Sequence, residues 1–231
     1  MSELSGRTAL VTGTAHGIGQ RIAEVLEADG ATVVRVDRDT ADLADPAQVA
    51  EVFATSGPFD VLVNNAGGVC GQQGKPLDEV SIEDWRAVLD ANLTSTFLCT
   101  RQVITSMKRA GYGRIVNIAS GAARGVSLTG VQAYVSAKAA QVGFTRQMAQ
   151  ELGPFGITVN CVAPGFVLSN PTTKAQWDSY GDDGQRELVE RIALRRLGTP
   201  DDIAQGVRFL VSRRAAWITG QLLSIDGGHV S

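Results

Sequence analysis

Residues 8–20 read TALVTGTAHGIGQ, a short apolar run followed by glycines at positions 13, 17 and 19. Glycine lets the backbone turn tightly and lets a ligand approach it closely. Where such a turn leads from a strand into a helix, the free N–H groups of the first helical turn attract a pyrophosphate. The GxxxGxG spacing is weak by itself. Its place directly after the first apolar run, and before a helical pattern, predicts a dinucleotide-binding turn.

Apolar runs alternate with segments of helical periodicity along the rest of the chain. Strands are predicted at 8–12, 32–37, 60–64, 114–119, 157–162 and 221–225. Helices are predicted at 19–29, 46–54, 82–110, 133–152 and 200–211. The strand candidates are rich in Val, Ile and Leu with little polar alternation, which is typical of parallel strands buried on both faces. The pattern therefore predicts an α/β fold, a three-layer doubly wound parallel sheet, in a single domain spanning residues 1–231.

The composition argues against several classes of protein. A net charge of −3 with 44% hydrophobic and 19% charged residues is ordinary for a globular chain and does not favour nucleic-acid binding. No apolar stretch approaches the roughly 20 residues that span a bilayer, and the N-terminus has no apolar signal core, so a cytoplasmic protein is expected. Cys70, Cys99 and Cys161 form no CxxC pair, and His16 and His229 lie far apart, so we expect free thiols and no metal site.

Further motifs follow in a fixed order along the chain. They are NNAG at 64–67, DANLTSTF at 90–97, RIVNIAS at 114–120, YVSAK at 134–138, Pro164-Gly165 and SIDGG at 224–228. Together with the glycine turn, these motifs resemble the short-chain dehydrogenase/reductase family over nearly the whole chain. The resemblance implies an oxidoreductase that uses a nicotinamide dinucleotide, acts on a small molecule and assembles as a homotetramer or homodimer.

The catalytic residues implied by the resemblance are Asn92, Ser120, Tyr134 and Lys138. Tyr134 and Lys138 are four residues apart in a predicted helix, so they share one face. A phenol with a pKa of about 10 becomes a useful base only if its pKa falls, which a nearby ammonium and an oxidised nicotinamide in a partly dry pocket can achieve. Tyr134 is then the general acid/base, Lys138 also binds the nicotinamide ribose, Ser120 orients the reacting oxygen and Asn92 holds a relay water.

The serine departs slightly from the family spacing. The usual position, thirteen residues before the tyrosine, holds Gly121, and Ser120 lies one residue further back. An extra residue in the intervening loop accounts for this, with Ser127 as a remote alternative. The resemblance also implies the cofactor contacts. They are Gly13, His16, Gly17, Ile18, Gly19, Asp37, Arg38, Asp42, Leu43, Asn65, Ala66, Gly67, Tyr134, Lys138, Pro164, Gly165 and Val167.

The stretch RVDRDTADLADP at 35–46 is shorter than its family equivalent, which places a helix and a further strand before the adenine-contacting Asp-Leu pair. Here Asp42-Leu43 follows Asp37 within five residues, which span at most about 17 Å. A crossover to a parallel neighbour needs roughly a dozen residues or more. We therefore predict six strands, with the usual third edge strand and its crossover helix missing. The strand at 32–37 becomes the edge, and Asp45 caps a helix that begins near Pro46.

Asp37 follows this edge strand where the adenosine ribose is expected. A carboxylate there accepts hydrogen bonds from both ribose hydroxyls and repels a 2′-phosphate, which favours NAD over NADP. His16, just before the second glycine, is expected to be neutral. Arg38 is the dissenting residue, since a basic residue after this strand is typical of NADP users. Three alternatives stay open for it: a pair with Asp37, a pair with Asp39, or stacking on adenine.

The predicted function is an NAD-dependent interconversion of a secondary alcohol, of the polyol, sugar or cyclic diol type, and a ketone or lactone. The alternatives are an NADP-dependent 3-oxoacyl-thioester reductase and a catalytically inactive dinucleotide-sensing protein. The segment at 165–197 is expected to form a substrate lid, irregular ahead of a short helix. Arg124, Gln132, Trp177 and Tyr180 are candidate substrate contacts, although the two aromatic residues fit packing within the lid equally well.

Overall fold

The computed structural model describes residues 2–127 and 129–229 of the chain. The strands are β1 Thr8–Thr12, β2 Thr32–Val36, β3 Val61–Asn64, β4 Gly113–Ile118, β5 Ile157–Pro164 and β6 Leu222–Ile225. The principal helices are α1 Gly17–Ala28, α2 Pro46–Ser56, α3 Ile82–Leu89, α4 Ser95–Ala110, α5 Gln132–Leu152, α6 Pro171–Ser179, α7 Gly181–Glu190 and α8 Pro200–Val211. No helix among these residues is both long and apolar enough to cross a membrane.

The strands form one sheet in the order β2-β1-β3-β4-β5-β6, and every described pairing is parallel. Two apolar clusters cover its opposite faces. One joins the sheet to α1 and α8, and the other joins it to α2, α4 and α5. The predicted three-layer α/β fold is confirmed. So is the six-stranded sheet, with β2 as an edge next to β1.

The short connection from β2 to α2 has the predicted form. After Val36 the chain turns through hydrogen bonds from the N–H groups of Thr40 and Ala41 to the carbonyl of Asp37, at 2.9 and 3.0 Å. The Asp45 carboxylate then accepts from the backbone of Ala47 and Gln48. These bonds satisfy donors of the first helical turn, so the chain enters α2 without an intervening strand. Residues 37–45 thus replace a whole strand-and-helix crossover.

Two local features differ from the sequence-based expectations. The predicted helix at 82–110 contains a wider π turn at Asp90–Thr94, where the Asn92 amide donates to the Val88 carbonyl at 2.7 Å. The segment at 165–197 holds two helices, α6 and α7, rather than a mainly irregular stretch. Asn170 and Thr173 form a capping box with Pro171 at the first helical position, which starts α6. Proline, one of the residues that suggested irregularity, here stands at the start of a helix.

Candidate active site

The candidate site lies along the carboxyl edge of the sheet, where parallel α/β folds bind their ligands. The glycine turn follows β1, Asp37 follows β2, Asn65 follows β3 and Ser120 follows β4. Pro164 ends β5. The fold therefore brings residues from five separate parts of the sequence to one edge. Tyr134 and Lys138 join them from the first turns of α5.

The glycine turn is too crowded for side chains. A Cβ on Gly17 would lie 2.3 Å from the Ser169 carbonyl oxygen, and one on Gly19 would lie 2.0 Å from the Gly13 carbonyl oxygen. Gly17 also has a φ of 64°, in the left-handed region. Exposed His16 precedes α1 and makes no side-chain capping bond, and the first turn carries no acidic residue. The N–H groups at this helix start therefore suit an anionic group.

The NNAG segment fastens the glycine turn to β3. The Asn65 amide donates to the carbonyls of Thr12 and Gly13 at 3.0 and 2.9 Å, and the N–H groups of Asn65 and Ala66 donate to the Thr12 hydroxyl. Asn92 holds Gly68 by two further bonds, one in each direction. Asn65 and Ala66 thus keep the turn in place, and exposed Gly67 lies in the loop between these two clamps.

Asp37 faces the glycine turn, as the ribose-binding hypothesis requires. Its Oδ2 accepts from the Ala15 N–H at 2.6 Å, and its Oδ1 accepts from the Arg38 N–H at 2.8 Å. An ionised carboxylate has about four lone-pair sites, so roughly two remain for a ligand. The adjacent Arg38 side chain is exposed and lies 3.9 Å from Cys70 Sγ. Neither the pair with Asp37 nor the pair with Asp39 is among the ion pairs of the described residues.

Four of the predicted cofactor residues are partly or largely engaged by the protein itself. Leu43 packs in the apolar cluster between the sheet and α2, and Val167 packs in the opposite cluster. Because the Val167 side chain is buried in this cluster, only its backbone is available to contact a ligand. Exposed Asp42 accepts from the Ala44 N–H, and Ile18 is partly buried. A cavity of about 510 Å³ opens beside Gly165, and Ser120, Tyr134 and Lys138 are not among its lining residues.

Ser120, Tyr134 and Lys138 come together where β4 faces the start of α5. The Ser120 side chain lies close enough to Tyr134 to act on its pKa. Lys138 Nζ donates to the Ile118 carbonyl at 2.8 Å and lies 5.6 Å from the centre of the Tyr134 ring. Ser127, the alternative serine, pairs instead with Thr129 on an exposed loop. The geometry thus groups Ser120, and not Ser127, with Tyr134.

Burial shapes the protonation of this group. Desolvation raises the pKa of Tyr134, and the hydrogen bond with Ser120 acts in the opposite direction. Desolvation lowers the pKa of Lys138 to about 8. Tyr134 is therefore a protonated phenol when the protein is alone. General base catalysis by Tyr134 would need a lower pKa, which the Lys138 ammonium and the positive charge of an oxidised nicotinamide would favour.

The candidate substrate residues are largely occupied by other contacts. Arg124 donates to the Ser224 hydroxyl and pairs with Asp226 at 2.9 Å, which ties the loop after β4 to the end of β6. Trp177 and Tyr180 both pack against Phe166, each with ring centroids 6.0 Å apart. Of the two readings left open for these aromatic residues, the geometry favours packing within the lid.

Gln132 belongs to a clasp between two loops. Its amide donates to the Lys75 carbonyl and accepts from Gln72, and Gln72 also donates to the Gly130 carbonyl. The clasp fixes the chain two residues before Tyr134. Gln72 was missed in the sequence, and so was Gln141, which is fully buried beside Asn92. The position of Gln141, at helical spacing from buried Ala137 and Lys138, is a signal that points to the interior.

Sequence comparison gives matches along the whole chain. A family profile described as "Enoyl-(Acyl carrier protein) reductase" matches residues 39–230, and one described as "short chain dehydrogenase" matches residues 7–51. Nodulation protein G of Rhizobium sp. (strain N33) is 40% identical over 253 aligned positions, which cover 99% of this chain and 98% of that protein. Because the chain has 231 residues, at least 22 aligned positions of this relative have no counterpart here. That number of residues is enough to form the strand and the crossover helix that are missing between β2 and α2.

Solved structures match the fold equally well. A putative NAD(P)-dependent gluconate 5-dehydrogenase from Beutenbergia cavernae, with bound NADP, has a TM-score of 0.88 and 38% identity, over 98% of this chain and 97% of that one. A 3-oxoacyl-[acyl-carrier protein] reductase from Brucella melitensis, with bound NAD, has a TM-score of 0.88 and 32% identity, over 99% and 92%. Similar structures thus hold different nucleotides and carry different substrate names.

Proposed function

Because the chain belongs to the short-chain dehydrogenase/reductase family, a family of oxidoreductases that bind nicotinamide dinucleotides, we propose that it is an NAD-dependent dehydrogenase. Its reaction interconverts a secondary alcohol, of the polyol, sugar or cyclic diol type, and a ketone or lactone. The observation that carries the reaction type is the grouping of Ser120, Tyr134 and Lys138 at the edge of the sheet that also carries the glycine turn.

The residues along this edge fit a dinucleotide. The crowded glycines and the uncapped start of α1 suit the pyrophosphate, and Asp37 retains acceptor sites for the adenosine ribose. Lys138 has further N–H donors besides the one given to Ile118, and these suit the hydroxyls of the nicotinamide ribose. When bound, the nicotinamide accepts or donates the hydride of the reaction.

Protein side chains handle the proton. In alcohol oxidation Tyr134 Oη takes the proton of the substrate hydroxyl, and in the reverse direction it returns that proton to the carbonyl oxygen. Ser120 is close enough to Tyr134 to orient the same oxygen. The Lys138 ammonium stabilises the phenolate form of Tyr134, an effect that the dry surroundings strengthen.

The preference for NAD rests on Asp37. A 2′-phosphate near this carboxylate would meet like charge, at a cost of about 1 kcal/mol even at high dielectric. Arg38 acts in the other direction, because no ion pair among the described residues ties its guanidinium to Asp37 or Asp39. We propose that the effect of Asp37 on nucleotide preference is larger than that of Arg38. The Asp37 carboxylate is fixed by the Ala15 N–H, whereas Arg38 is an exposed, long side chain.

A polyhydroxylated or cyclic substrate is supported by the gluconate 5-dehydrogenase among the similar structures. In the lid at 165–197, Asp178 and Asp183 pair with Lys174 and Arg186, and exposed Asp182 has no ion-pair partner among the described residues. Asp182 would therefore repel the phosphate of a phosphopantetheine arm. We further propose that the chain is one domain with this segment as its lid, and that it assembles as a homotetramer or homodimer.

An NADP-dependent 3-oxoacyl-thioester reductase is the second candidate, because one of the similar structures is a 3-oxoacyl reductase. The two candidates differ in nucleotide and in substrate, so one panel separates them. Sugars, polyols and cyclic diols are offered with NAD and with NADP, and a 3-oxoacyl thioester is offered with both reduced nucleotides. Nicotinamide absorbance reports turnover.

We expect turnover of at least one polyol, sugar or cyclic diol, with kcat/KM for NAD well above that for NADP. Preferred thioester reduction with NADPH would replace the proposal by the second candidate. Nucleotide binding without turnover of any substrate would instead favour a dinucleotide-sensing protein. Tyr134→Phe serves as the blank throughout, because it keeps the fold while removing the acid/base group.

A further inference from the structure

The Gln141 side chain is fully buried in α5, one helical turn from Lys138. Its Nε2 donates to the Asn92 main-chain carbonyl at 3.0 Å and to the Thr96 hydroxyl oxygen at 2.7 Å. Its Oε1 is buried and has no hydrogen-bond partner among the described residues. A buried acceptor without a donor costs about 1–3 kcal/mol, so this oxygen calls for an explanation.

Asn92 has few bonding sites left for a relay water. Its amide donates to the carbonyls of Gly68 and Val88, and its Oδ1 accepts from the Gly68 N–H. Its main-chain carbonyl accepts both from Gln141 and from the Thr96 hydroxyl, which occupies its two lone pairs. One lone pair of Asn92 Oδ1 is left, so a relay water is held more firmly if a second acceptor lies nearby.

Gln141 meets this requirement by position. It contacts the Asn92 carbonyl directly, and its spacing of three residues places it on the same face of α5 as Lys138, so it neighbours both residues that the relay has to connect. Lys138 Nζ has three donors, and Ile118 takes one of them. A single water that accepts from Lys138 and donates to Gln141 satisfies two buried groups at once.

We propose that Gln141 is a positioning residue for Lys138, and that its Oε1 accepts from a buried water to which Lys138 Nζ donates. This inference rests on the proposed function for its catalytic meaning. The water holds the ammonium in place and provides the inner end of the proton path from Tyr134. Asn92 and Thr96 act by fixing the Gln141 amide, so that its oxygen is the acceptor available to the water.

Few charged or titratable groups surround Lys138 among the described residues, so an effect of Gln141 on the pKa of Lys138 is measurable. The Tyr134 ring faces it from the same helix, and Cys161 faces it from β5. The Cys161 thiol has a pKa of about 11, raised by burial, so it stays neutral over the useful range. None of the ion pairs among the described residues joins Lys138 to a carboxylate. A change at Gln141 is therefore not masked by a stronger partner.

The test compares Gln141→Met, which removes the acceptor at similar volume, with Gln141→Glu, which keeps acceptor oxygens and adds charge. Gln147→Met, at an exposed position of the same helix, controls for general effects on α5. The first readout needs no turnover. NMR titration of the Lys138 side chain in the cofactor-free protein should give a lower pKa in Gln141→Met, a higher pKa in Gln141→Glu and no change in the control.

The second readout is the pH profile of kcat with NAD and the best alcohol. In Gln141→Met we expect kcat at neutral pH to fall about tenfold, with the alkaline loss of activity moved to lower pH, while NAD affinity stays within about twofold. Gln141→Glu should move that loss to higher pH. If both variants shift the lysine titration in the same direction, or leave it unchanged, the proposal is wrong. Absence of turnover in the native protein would refute the proposed function, and the titration would still decide this inference.

Discussion

Asp37 and Lys138 both carry charge at the carboxyl edge of the sheet, but their surroundings are opposite. Asp37 follows the edge strand β2, keeps contact with solvent and is held by two backbone N–H groups. Lys138 is buried beside β4, three strand spacings away, or about 14 Å. The same edge thus has a wet end, where we propose that the adenosine binds, and a dry end, where we propose that catalysis takes place.

Solvent sets how much each charge can do. At the wet end, a like charge about 4 Å away costs about 1 kcal/mol, which suffices to bias the choice between two nucleotides by several-fold. At the dry end, desolvation outweighs the opposing effect of Cys161 and lowers the pKa of Lys138 from 10.5 to about 8. Catalysis is therefore expected to depend on the dry end by orders of magnitude, and nucleotide choice on the wet end by small factors.

The largest expected effect is at Tyr134. Tyr134→Phe removes one hydroxyl and keeps the ring, so kcat should fall by about 10²–10⁴-fold, the usual contribution of general acid–base catalysis. NAD affinity, measured by calorimetry, should stay within about threefold. Ser127→Ala, in the exposed loop before α5, is the matched control and should keep full activity. Retained turnover in Tyr134→Phe would remove the proposed mechanism.

The next effect concerns stability at the dry end. The pKa of Lys138 is lower in the folded protein, about 8 against 10.5, so between these values the unfolded chain binds a proton that the folded chain does not. The lysine therefore destabilises the fold below pH 8, and this penalty disappears as the pH rises towards 10. At roughly 1.4 kcal/mol for each pKa unit, the penalty is about 3 kcal/mol at most.

Urea unfolding of the native protein and of Lys138→Met from pH 7 to 9 checks this expectation. The free energy of unfolding of the native protein should rise relative to that of the variant as the pH increases. The comparison cancels the buried thiol of Cys99, whose raised pKa acts in the opposite direction above about pH 9. The pKa of Cys161 is lowered by the Lys138 charge itself, so both proteins are best compared below about pH 9, where this thiol stays neutral. A constant difference between the two proteins would show that Lys138 is not desolvated.

A smaller effect is expected from Asp37→Ala at the wet end. Loss of the carboxylate should lower kcat/KM for NAD and raise it for NADP, which narrows the ratio by about fivefold to tenfold. Asp39→Ala is the control, because Asp39 lies in the same turn and bonds only its neighbour Thr40 among the described residues. An equal change in both variants would mean that net charge, and not the position of Asp37, sets the preference.

The sequence could predict the features that depend on chain length and local spacing, but not those that depend on partners from distant parts of the chain. The shortcut from β2 to α2 follows from chain length alone, because residues 37–45 cannot hold a crossover, and Asp45-Pro46 marks the helix start. Tyr134 and Lys138 were predicted by the resemblance of YVSAK to the family motif, and their spacing placed them on one face of a helix. The partners of Arg124 and Gln132 were not predictable, since Asp226 and Gln72 come from distant parts of the chain. For Trp177 and Tyr180 the sequence left packing within the lid and substrate contact equally open, and it did not identify Phe166 as their partner.

The smallest expected effect is at Arg38. It decides whether one residue or two at the wet end determine the preference between NAD and NADP. Arg38→Ala should lower kcat/KM for NADP by about threefold and leave that for NAD unchanged, if the exposed guanidinium attracts a 2′-phosphate in partial opposition to Asp37. Arg213→Ala, an exposed arginine of the short helix after α8, matches the change in net charge. If NAD affinity falls instead, Arg38 stacks on the adenine. The 3.9 Å approach to Cys70 then describes a side chain that a bound nucleotide rearranges.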